Sequence, residues 1–495
     1  MKKNQILLIT IVCIATFIFV YSPHFHYQFP LHIDELHHIT ESIKLGKGEY
    51  TGGPWGYELG FHVVLLMISG IINLVLSYKY LPAIWAVLSS LTLFYVVHKK
   101  TKNFKIALFA MIFFASIKSN VNMSGLWFFT PLSFAIPFIF LYVYFFTEGI
   151  EKQNKKSILI SLVIMAILLF VHPLSFLFAI PFLVIYALIN IKYLKKEYKF
   201  FSLFLIIPLV GFLFFIYTSK VQLSNAISLL ASILQFGTEF GVIEYTNSFL
   251  NIYSIIGYLT AIAGILVIYL SKKQKKFSAY MLWPATLLIS IFIYRIIGLS
   301  YFSPHQRNIY YFAISLPILS AIGLFYILSL VKKIRINNLF KKTIYFTLLI
   351  IVLFFTFSSY FDIPKVVDIY HVLDNDDYQA LLFLSNLPKS RVMAHPLLSA
   401  AIYPISGHEP VATVYFYEKS VIQSERGDFA FFGDKKQLTS YASRNELYAF
   451  FSLKDCIAKR QIFNMHKFKY ILSKEKIDCG WDLIYQENNY IYQTY

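Results

Sequence analysis

The first acidic residues of the chain stand side by side in a histidine-rich stretch that follows the first apolar run. In FPLHIDELHHITE (29–41), Asp34 and Glu35 have three histidines around them. A carboxylate in such a place could act as a general base on a hydroxyl within hydrogen-bond distance. The pair also fits a helix start, with Asp34 as the capping residue and Glu35 favouring the positive end of the helix. Both interpretations stay open at this point.

The histidines suggest a metal as a second kind of chemistry. His37 and His38 follow Asp34 by three and four residues, so all three can share one helical face. The stretch is not a zinc-protease motif, because His32 and His37 are five residues apart and Glu35 does not follow the first histidine directly. A divalent cation, magnesium or manganese, held by Asp34 or Glu35 remains an open alternative.

A second group of candidate residues lies in GLSYFSPHQRNIYYF (298–312). His305 and Arg307 precede an apolar segment there, and Arg295 ends the previous one. Arginine binds phosphate through paired, charge-assisted hydrogen bonds, and an ionisable residue at membrane depth is a functional candidate. The alternative is that Arg307 only extends towards lipid headgroups. His172 is a weaker candidate, since it could instead satisfy carbonyls freed by Pro173.

Composition assigns the chain to the membrane proteins. Of its 495 residues 57% are hydrophobic and 14% charged, the mean hydropathy is +0.60, and apolar runs of spanning length recur. The net charge of +18 lies in short clusters between those runs, without a basic stripe or a zinc-finger spacing. This excludes a nucleic-acid-binding protein.

The first apolar run is predicted to be an uncleaved helix, since no small-residue cleavage site follows it.

The basic clusters predict the orientation of the chain. Because cytoplasmic loops collect lysine and arginine, the N-terminus and five connections are placed inside: 99–105, 148–156, 192–199, 271–276 and 332–342. Loops 22–60, 118–124, 218–250 and 298–308 are then external. The apolar stretch 60–76 must lie in the outer leaflet without crossing, and 157–191 must cross twice with a bend near His172-Pro173. About eleven transmembrane helices result.

Two domains are predicted. Residues 1–361 form the membrane domain, with a first external loop at 22–79 that includes the interfacial stretch 60–76. Residues 362–495 form a small external α/β domain, with a helix at 377–388, strands in RVMAH, VATVYFY and FKYILS, and a closing hairpin around Glu487-Asn488-Asn489. Cys456 and Cys479 both fall in it, and whether they pair stays open.

These parts together resemble the GT-C class of polytopic membrane glycosyltransferases, which take a sugar from a polyprenyl-phosphate or polyprenyl-diphosphate donor. The resemblance consists of a first helix, a long external loop opening on Asp34-Glu35, the segment GGPWGYELGFHVVLLMISG, many short-looped helices and an external C-terminal domain. It implies that Asp34 is the base with Glu35 assisting, and that Arg307 and His305 hold the donor phosphate.

The chain departs from the oligosaccharyltransferases of that class in one motif. No WWD motif opens the C-terminal domain, and the only Trp-Asp pair, Trp481-Asp482, lies near the end. The expected function is therefore transfer of a single sugar or small glycan to a lipid or glycan acceptor at the external face of the plasma membrane.

Two other function classes, a transporter or flippase and a non-catalytic scaffold, fit the sequence less well. A transporter or flippase predicts inverted repeats and ionisable residues at the membrane midplane, whereas no convincing repeat is visible and the polar candidates other than His172 gather externally. A non-catalytic scaffold would hardly need so many helices or an acidic first loop.

Overall fold

The computed structural model describes residues 2–50, 58–119, 125–219, 235–236, 249–303, 305–333, 337–357, 371–411 and 450–494. Helices dominate up to residue 357. In chain order they are α1 Lys3–Tyr21, α2 Ile33–Gly46, α3 Leu59–Ser69, α4 Leu74–Ser77, α5 Leu81–Thr101, α6 Phe104–Ala115, α7 Pro131–Glu151, α8 Lys155–Val171, α9 Pro173–Leu177, α10 Ile180–Ile189, α11 Ile191–Lys196, α12 Tyr198–Ser219, α13 Ile255–Leu270, α14 Gln274–Ile297, α15 His305–Ser315, α16 Pro317–Lys333 and α17 Asn338–Phe357.

The helical part is that of a multi-pass membrane protein. Within the described residues, six segments are long and apolar enough to cross a bilayer: Lys3–His24, Leu74–Thr101, Pro131–Glu151, Gln274–Ile297, Arg307–Val331 and Asn338–Phe357. Shorter apolar helices lie between them. The predicted helical class is confirmed, while the figure of about eleven crossings stays a prediction.

The predicted break at His172 is present. Helix α8 ends at Val171, His172 has φ −158° and ψ 86°, and α9 begins at Pro173. Proline has no N–H to continue the helical ladder, so the chain must restart there. His172 is thereby left at a non-helical position between two helices, with its side chain buried.

The stretch predicted to be interfacial does not form one long helix. Helix α3 has 11 residues and is followed by a turn before α4. At 1.5 Å per residue, α3 is roughly half the length of the hydrocarbon core. Met67 and Ile71, at its end and in the turn, are 65% and 85% exposed. These features agree with a segment that enters the outer leaflet without crossing, which stays a prediction.

The basic connections meet at one end of the helix bundle. Lys100 pairs with Glu151, and Lys155 pairs with Glu197 at 3.0 Å. The Lys100 ammonium also lies 5.8 Å from the ring centre of Tyr280, near the start of α14. Four of the five connections predicted to be cytoplasmic are therefore on the same side of the bundle.

The C-terminal residues form a five-stranded mixed sheet with helices. Its strands lie in the order Glu409–Pro410, Arg391–Ala394, Tyr470–Ser473, Tyr490–Gln493 and Asp482–Gln486, labelled β4, β3, β5, β7 and β6. The first three strands are parallel to one another, and β7 is antiparallel to both of its neighbours, β5 and β6. A two-residue ladder, β1 Gln235–Phe236 with β2 Ser300–Tyr301, lies apart from it. The accompanying helices are α18 Asn375–Ser385, α19 Pro396–Ser406 and α20 Cys456–His466.

Most of the predicted C-terminal elements are found. The helix near 377–388, the strands in RVMAH and FKYILS, and the closing hairpin are confirmed. The strand predicted for VATVYFY lies outside the described residues after Val411. Cys456 and Cys479 form a disulfide, which settles the alternative that the sequence left open.

The C-terminal unit packs against helix α2. Lys44 pairs with Glu409 at 3.3 Å, and the ammonium groups of Lys44 and Lys47 lie 4.7 and 4.9 Å from the ring centre of Tyr403. The Tyr403 hydroxyl donates to Glu49 at 2.9 Å. Helix α2, which carries Asp34, is therefore held by the membrane part on one side and by the C-terminal unit on the other.

Candidate active site

Helix α2 begins at Ile33, two residues earlier than a cap at Asp34 predicts. His32 is the capping residue: its Nδ1 accepts from the backbone N–H of Asp34 at 3.1 Å, and Glu35 Oε2 accepts from the backbone N–H of His32. The prediction that Asp34 caps the helix is wrong, because the imidazole lone pair takes that place. The carboxylate of Asp34 instead lies 3.3 Å from His32 Nδ1. Burial opposes protonation of His32, but this carboxylate raises the pKa of the imidazole; in the protonated ring, Nδ1–H would donate to the carboxylate and could no longer accept from the Asp34 N–H.

Glu35 is fully buried and bonded through both of its oxygens. Besides the bond from His32, Oε1 accepts from the backbone N–H of Phe129 at 2.7 Å. Burial raises the pKa of Glu35 to about 7, although both hydrogen bonds favour the charged form. Glu35 thus ties the start of α2 to the turn before α7.

Asp34 is the more open of the two acids, with 30% of its side chain exposed. It shares a helical face with His37 and His38, as its spacing predicts. Burial lowers the pKa of His37 to about 4, and the charge of Asp34 opposes that shift. A neutral His37 and an accessible Asp34 carboxylate therefore stand together at the start of α2.

A chain of polar side chains connects the break at His172 with helix α15. His172 Nδ1 lies 2.6 Å from the hydroxyl oxygen of Ser175, which lies 3.0 Å from that of Tyr311. The Tyr311 ring stacks on Phe178 at 3.6 Å. On its other side, His172 Nε2 lies 3.7 Å from Glu58 Oε1.

Glu58 continues this chain to helices α2 and α3. Its Oε2 lies 3.9 Å from His38 Nδ1, which is 3.0 Å from His62 Nε2. His62 Nδ1 is in turn 2.9 Å from the Tyr50 hydroxyl. His38, Glu58 and His62 are all buried, and their potential ligand atoms lie within 4.8 Å of one another. These three residues, which we call the His-Glu-His cluster, could hold a metal ion.

Two charges near Glu58 place Asp34 and Arg307 in the same region. Burial raises the pKa of Glu58 to about 8, the negative charge of Asp34 adds to this, and the positive charge of Arg307 opposes it. Arg307 lies four residues before Tyr311 on α15, hence on the face that reaches His172. Asp34 and Arg307 are therefore close enough to Glu58 for their charges to act on it, and His172 lies 3.7 Å from its carboxylate.

Arg295 and His305 lie together in a second group. The His305 ring stacks on Tyr294 with centroids 4.0 Å apart, and the Arg295 guanidinium lies 4.9 Å from the ring centre of Phe249. His305 is 2% exposed. Burial and the charge of Arg295 lower its pKa to about 4, so it is neutral at pH 7. Arg295 at the end of α14 and His305 at the start of α15 are thus close enough to interact electrostatically.

Glu58 and His62 are the residues that sequence reasoning missed. They stand four apart in ELGFH (58–62), a spacing that places both on one helical face. The apolar residues that follow led to an interpretation of this segment as purely interfacial. The acid and imidazole at its start are the signal that could have identified them.

A protein-family model matches part of the chain. Residues 73–217 match the family model of dolichyl-phosphate-mannose-protein mannosyltransferases. No curated protein sequence matches the chain significantly.

The fold is similar to that of an archaeal oligosaccharyltransferase. AglB from Archaeoglobus fulgidus in its apo form aligns with a TM-score of 0.58 at 13% identity, over 96% of this chain and 70% of that one. Its complex with an inhibitory peptide and a dolichol-phosphate aligns with a TM-score of 0.55 at 13% identity, over 96% and 69%. Its complex with zinc and sulfate aligns with a TM-score of 0.54 at 14% identity, over 94% and 68%.

Proposed function

We propose that this chain is a membrane glycosyltransferase of the GT-C class, which its fold and the partial family match support, and that it carries out the following reaction. A sugar passes from a polyprenyl-phosphate or polyprenyl-diphosphate carrier to the hydroxyl of a lipid or glycan acceptor. The observation that carries the proposal is that the charges of Asp34, a carboxylate with 30% of its side chain exposed, and of Arg307 both act on the buried Glu58. An acid to activate the acceptor and a cation for the leaving phosphate are the two groups that such a transfer needs.

Asp34 acts as the base. The acceptor O–H bond breaks and its proton passes to the Asp34 carboxylate, while the acceptor oxygen forms a bond to the anomeric carbon of the sugar. The bond from that carbon to the carrier phosphate breaks, and the phosphate leaves with the electron pair. Positive charge develops on the sugar during this exchange, as in glycoside hydrolysis.

Arg307 stabilises the leaving phosphate. A guanidinium presents two parallel N–H groups to phosphate oxygens, and its charge compensates the charge that grows as the bond breaks. Arg295 and His305 also bind the donor, since they lie beside the loop that precedes α15, the helix that carries Arg307. His172 positions Glu58 and, through Ser175, helix α15.

Glu35 is a positioning residue: it holds the start of α2, because both of its oxygens accept hydrogen bonds from backbone N–H groups. The same contacts make it a poor metal ligand. The acceptor is a lipid or small glycan, in keeping with the absence of a WWD motif from the sequence.

The active face is the external one. The support is that four basic connections gather at one end of the bundle, and positively charged connections are typically cytoplasmic. The disulfide agrees with this, since it needs an oxidising compartment.

The donor class is tested with the purified chain in lipid nanodiscs. Polyprenyl-phosphate sugars carrying a radiolabel should yield labelled product or released sugar, whereas nucleotide sugars should not. Arg307→Gln should lower kcat/KM for the lipid-linked donor by about 10²-fold or more, the size of one lost transition-state contact. Arg391→Gln removes the same charge from strand β3 and should leave the rate unchanged. An unaltered rate in Arg307→Gln would remove this residue from the site.

A further inference from the structure

The His-Glu-His cluster has an arrangement that can hold a metal ion. Two of its members lie on helices, His38 on α2 and His62 on α3, and Glu58 is the residue that precedes α3. They are 5%, 8% and 1% exposed. Two imidazoles and a carboxylate that converge away from water need either protons shared among them or a cation between them.

The distances fit a four-coordinate ion. His38 Nδ1 and His62 Nε2 are 3.0 Å apart, and Glu58 Oε2 is 3.9 Å from His38 Nδ1. A tetrahedral zinc ion with bonds of about 2.0–2.1 Å holds its ligand atoms about 3.3 Å apart. Small shifts of the three side chains would therefore close them around one ion.

Tyr50 supplies the outer contact that a metal-binding histidine usually makes. Its hydroxyl lies 2.9 Å from His62 Nδ1. When Nδ1–H donates to this hydroxyl, Nε2 keeps its lone pair and points it at His38. Contacts of this kind orient the ring and select its tautomer in metal sites.

A fourth ligand is within reach. His172 Nε2 lies 3.7 Å from the second oxygen of Glu58, so His172 or a substrate oxygen could complete the coordination. Asp34 precedes His38 by four residues on α2, hence on the same face. The cluster is therefore adjacent to the residue that we take as the base.

The ligand types select the kind of ion. Imidazole nitrogens suit zinc and its neighbours in the first transition row, whereas magnesium and calcium take oxygen ligands. With two nitrogens among three ligands, the cluster disfavours magnesium, one of the two ions that the sequence left open for Asp34 or Glu35.

We propose that His38, Glu58 and His62 bind one zinc-class divalent ion, which joins helices α2 and α3 beside Asp34. The ion holds the first loop in the shape that exposes Asp34, and it presents an open position towards the substrate. This inference concerns metal binding and stands even if the transfer reaction proves to be a different one.

The experiment measures metal directly. The chain, purified in detergent and dialysed first against chelator and then against excess zinc chloride, should retain about one zinc per chain by mass spectrometry. Loading with cobalt(II) instead should give the strong visible absorption of a tetrahedral site. A wild-type chain that retains no zinc and shows only the weak spectrum of octahedral cobalt would overturn the proposal.

Three variants locate the site. His62→Gln should weaken zinc binding by at least about 100-fold, and Tyr50→Phe, which leaves the ligands intact, by about 10-fold. His26→Gln, an exposed histidine of the same loop, should bind zinc like the wild type. Gel filtration checks that each variant folds. Equal zinc affinity in His62→Gln and His26→Gln would show that the retained metal lies elsewhere and refute the site.

Discussion

Oε1 of Glu35 accepts from the backbone N–H of Phe129 at 2.7 Å, which joins the first loop to the segment that leads into α7. The other oxygen accepts from the N–H of His32 at the start of the same helix as Glu35. Asp34 and Glu35, although adjacent in the sequence, thus have different surroundings. Asp34 is partly exposed, whereas Glu35 is buried between two backbone donors.

Glu35→Gln should destabilise the chain. The amide can place an oxygen on only one of the two N–H donors, and its NH₂ group faces the other. A buried donor left without an acceptor costs about 1–3 kcal/mol. Thermal unfolding in detergent should therefore show a lower Tm. Glu475→Gln, an exposed acid of the C-terminal unit, is the matched control, and an equal Tm for the two variants would contradict the bonded arrangement.

Gly323→Ala should separate helices α13 and α16. A Cβ at Gly323 would lie 1.9 Å from the carbonyl oxygen of Thr260 and 2.7 Å from the backbone nitrogen of Gly264, so the backbones must move apart. Overpacking of this kind typically costs about 1–3 kcal/mol. Gly211 has nothing within 4 Å of its Cβ position, and Gly211→Ala should leave the Tm unchanged or raise it slightly. A tolerated Gly323→Ala would refute the close crossing.

Acid should loosen the C-terminal sheet through His408. Its Nε2 lies 2.8 Å from the Leu384 carbonyl oxygen and its Nδ1 accepts from the Ser390 N–H at 3.1 Å, which fits the neutral ring. Burial lowers the pKa of His408 despite the carbonyls, and Lys389 adds to the shift. The unfolded chain therefore binds the proton more readily, so stability is full above pH 6.5 and falls as the pH drops towards the folded pKa.

Hydrogen exchange of the peptides that contain β3 and β5, corrected for the intrinsic rate, measures this effect. Protection should decrease from pH 7 to pH 5 in the wild type and change less in His408→Gln. The same loss of protection in both would show that His408 is not its cause.

The proposed topology predicts opposite labelling of two engineered cysteines. In a Cys13→Ser background, Lys47→Cys should react with an impermeant maleimide in intact cells. Lys152→Cys, in the connection after α7, should react only after permeabilisation. Labelling of Lys47→Cys only after permeabilisation would reverse the orientation and place Asp34 inside.

Local patterns predicted the fold class and many of its elements. Apolar runs indicated the membrane helices, Pro173 marked the break at His172, and alternation around Glu487-Asn488-Asn489 indicated the hairpin. Each of these depends on neighbouring residues, whose periodicity is visible in one sequence.

The arrangement of the candidate site could be predicted only in part. Topology placed Asp34, His172 and Arg307 on one side of the membrane, but the approach of Glu58 to His172 joins residues more than a hundred positions apart. The cap of α2 was missed because histidine is not among the usual capping residues. The burial of Glu35 depends on Phe129, which a local pattern does not reveal.

The central claim is that Asp34 removes the acceptor proton. The measurement is the rate of sugar transfer from a polyprenyl-phosphate donor by Asp34→Asn, in nanodiscs and at equal protein. Asparagine has nearly the shape of aspartate, but its amide cannot accept the acceptor's proton. The rate of transfer should therefore fall by about 10²–10⁴-fold with the Tm unchanged. Asp478→Asn, an acid 78% exposed in the C-terminal unit, should transfer at the wild-type rate. Full activity in Asp34→Asn would contradict the account.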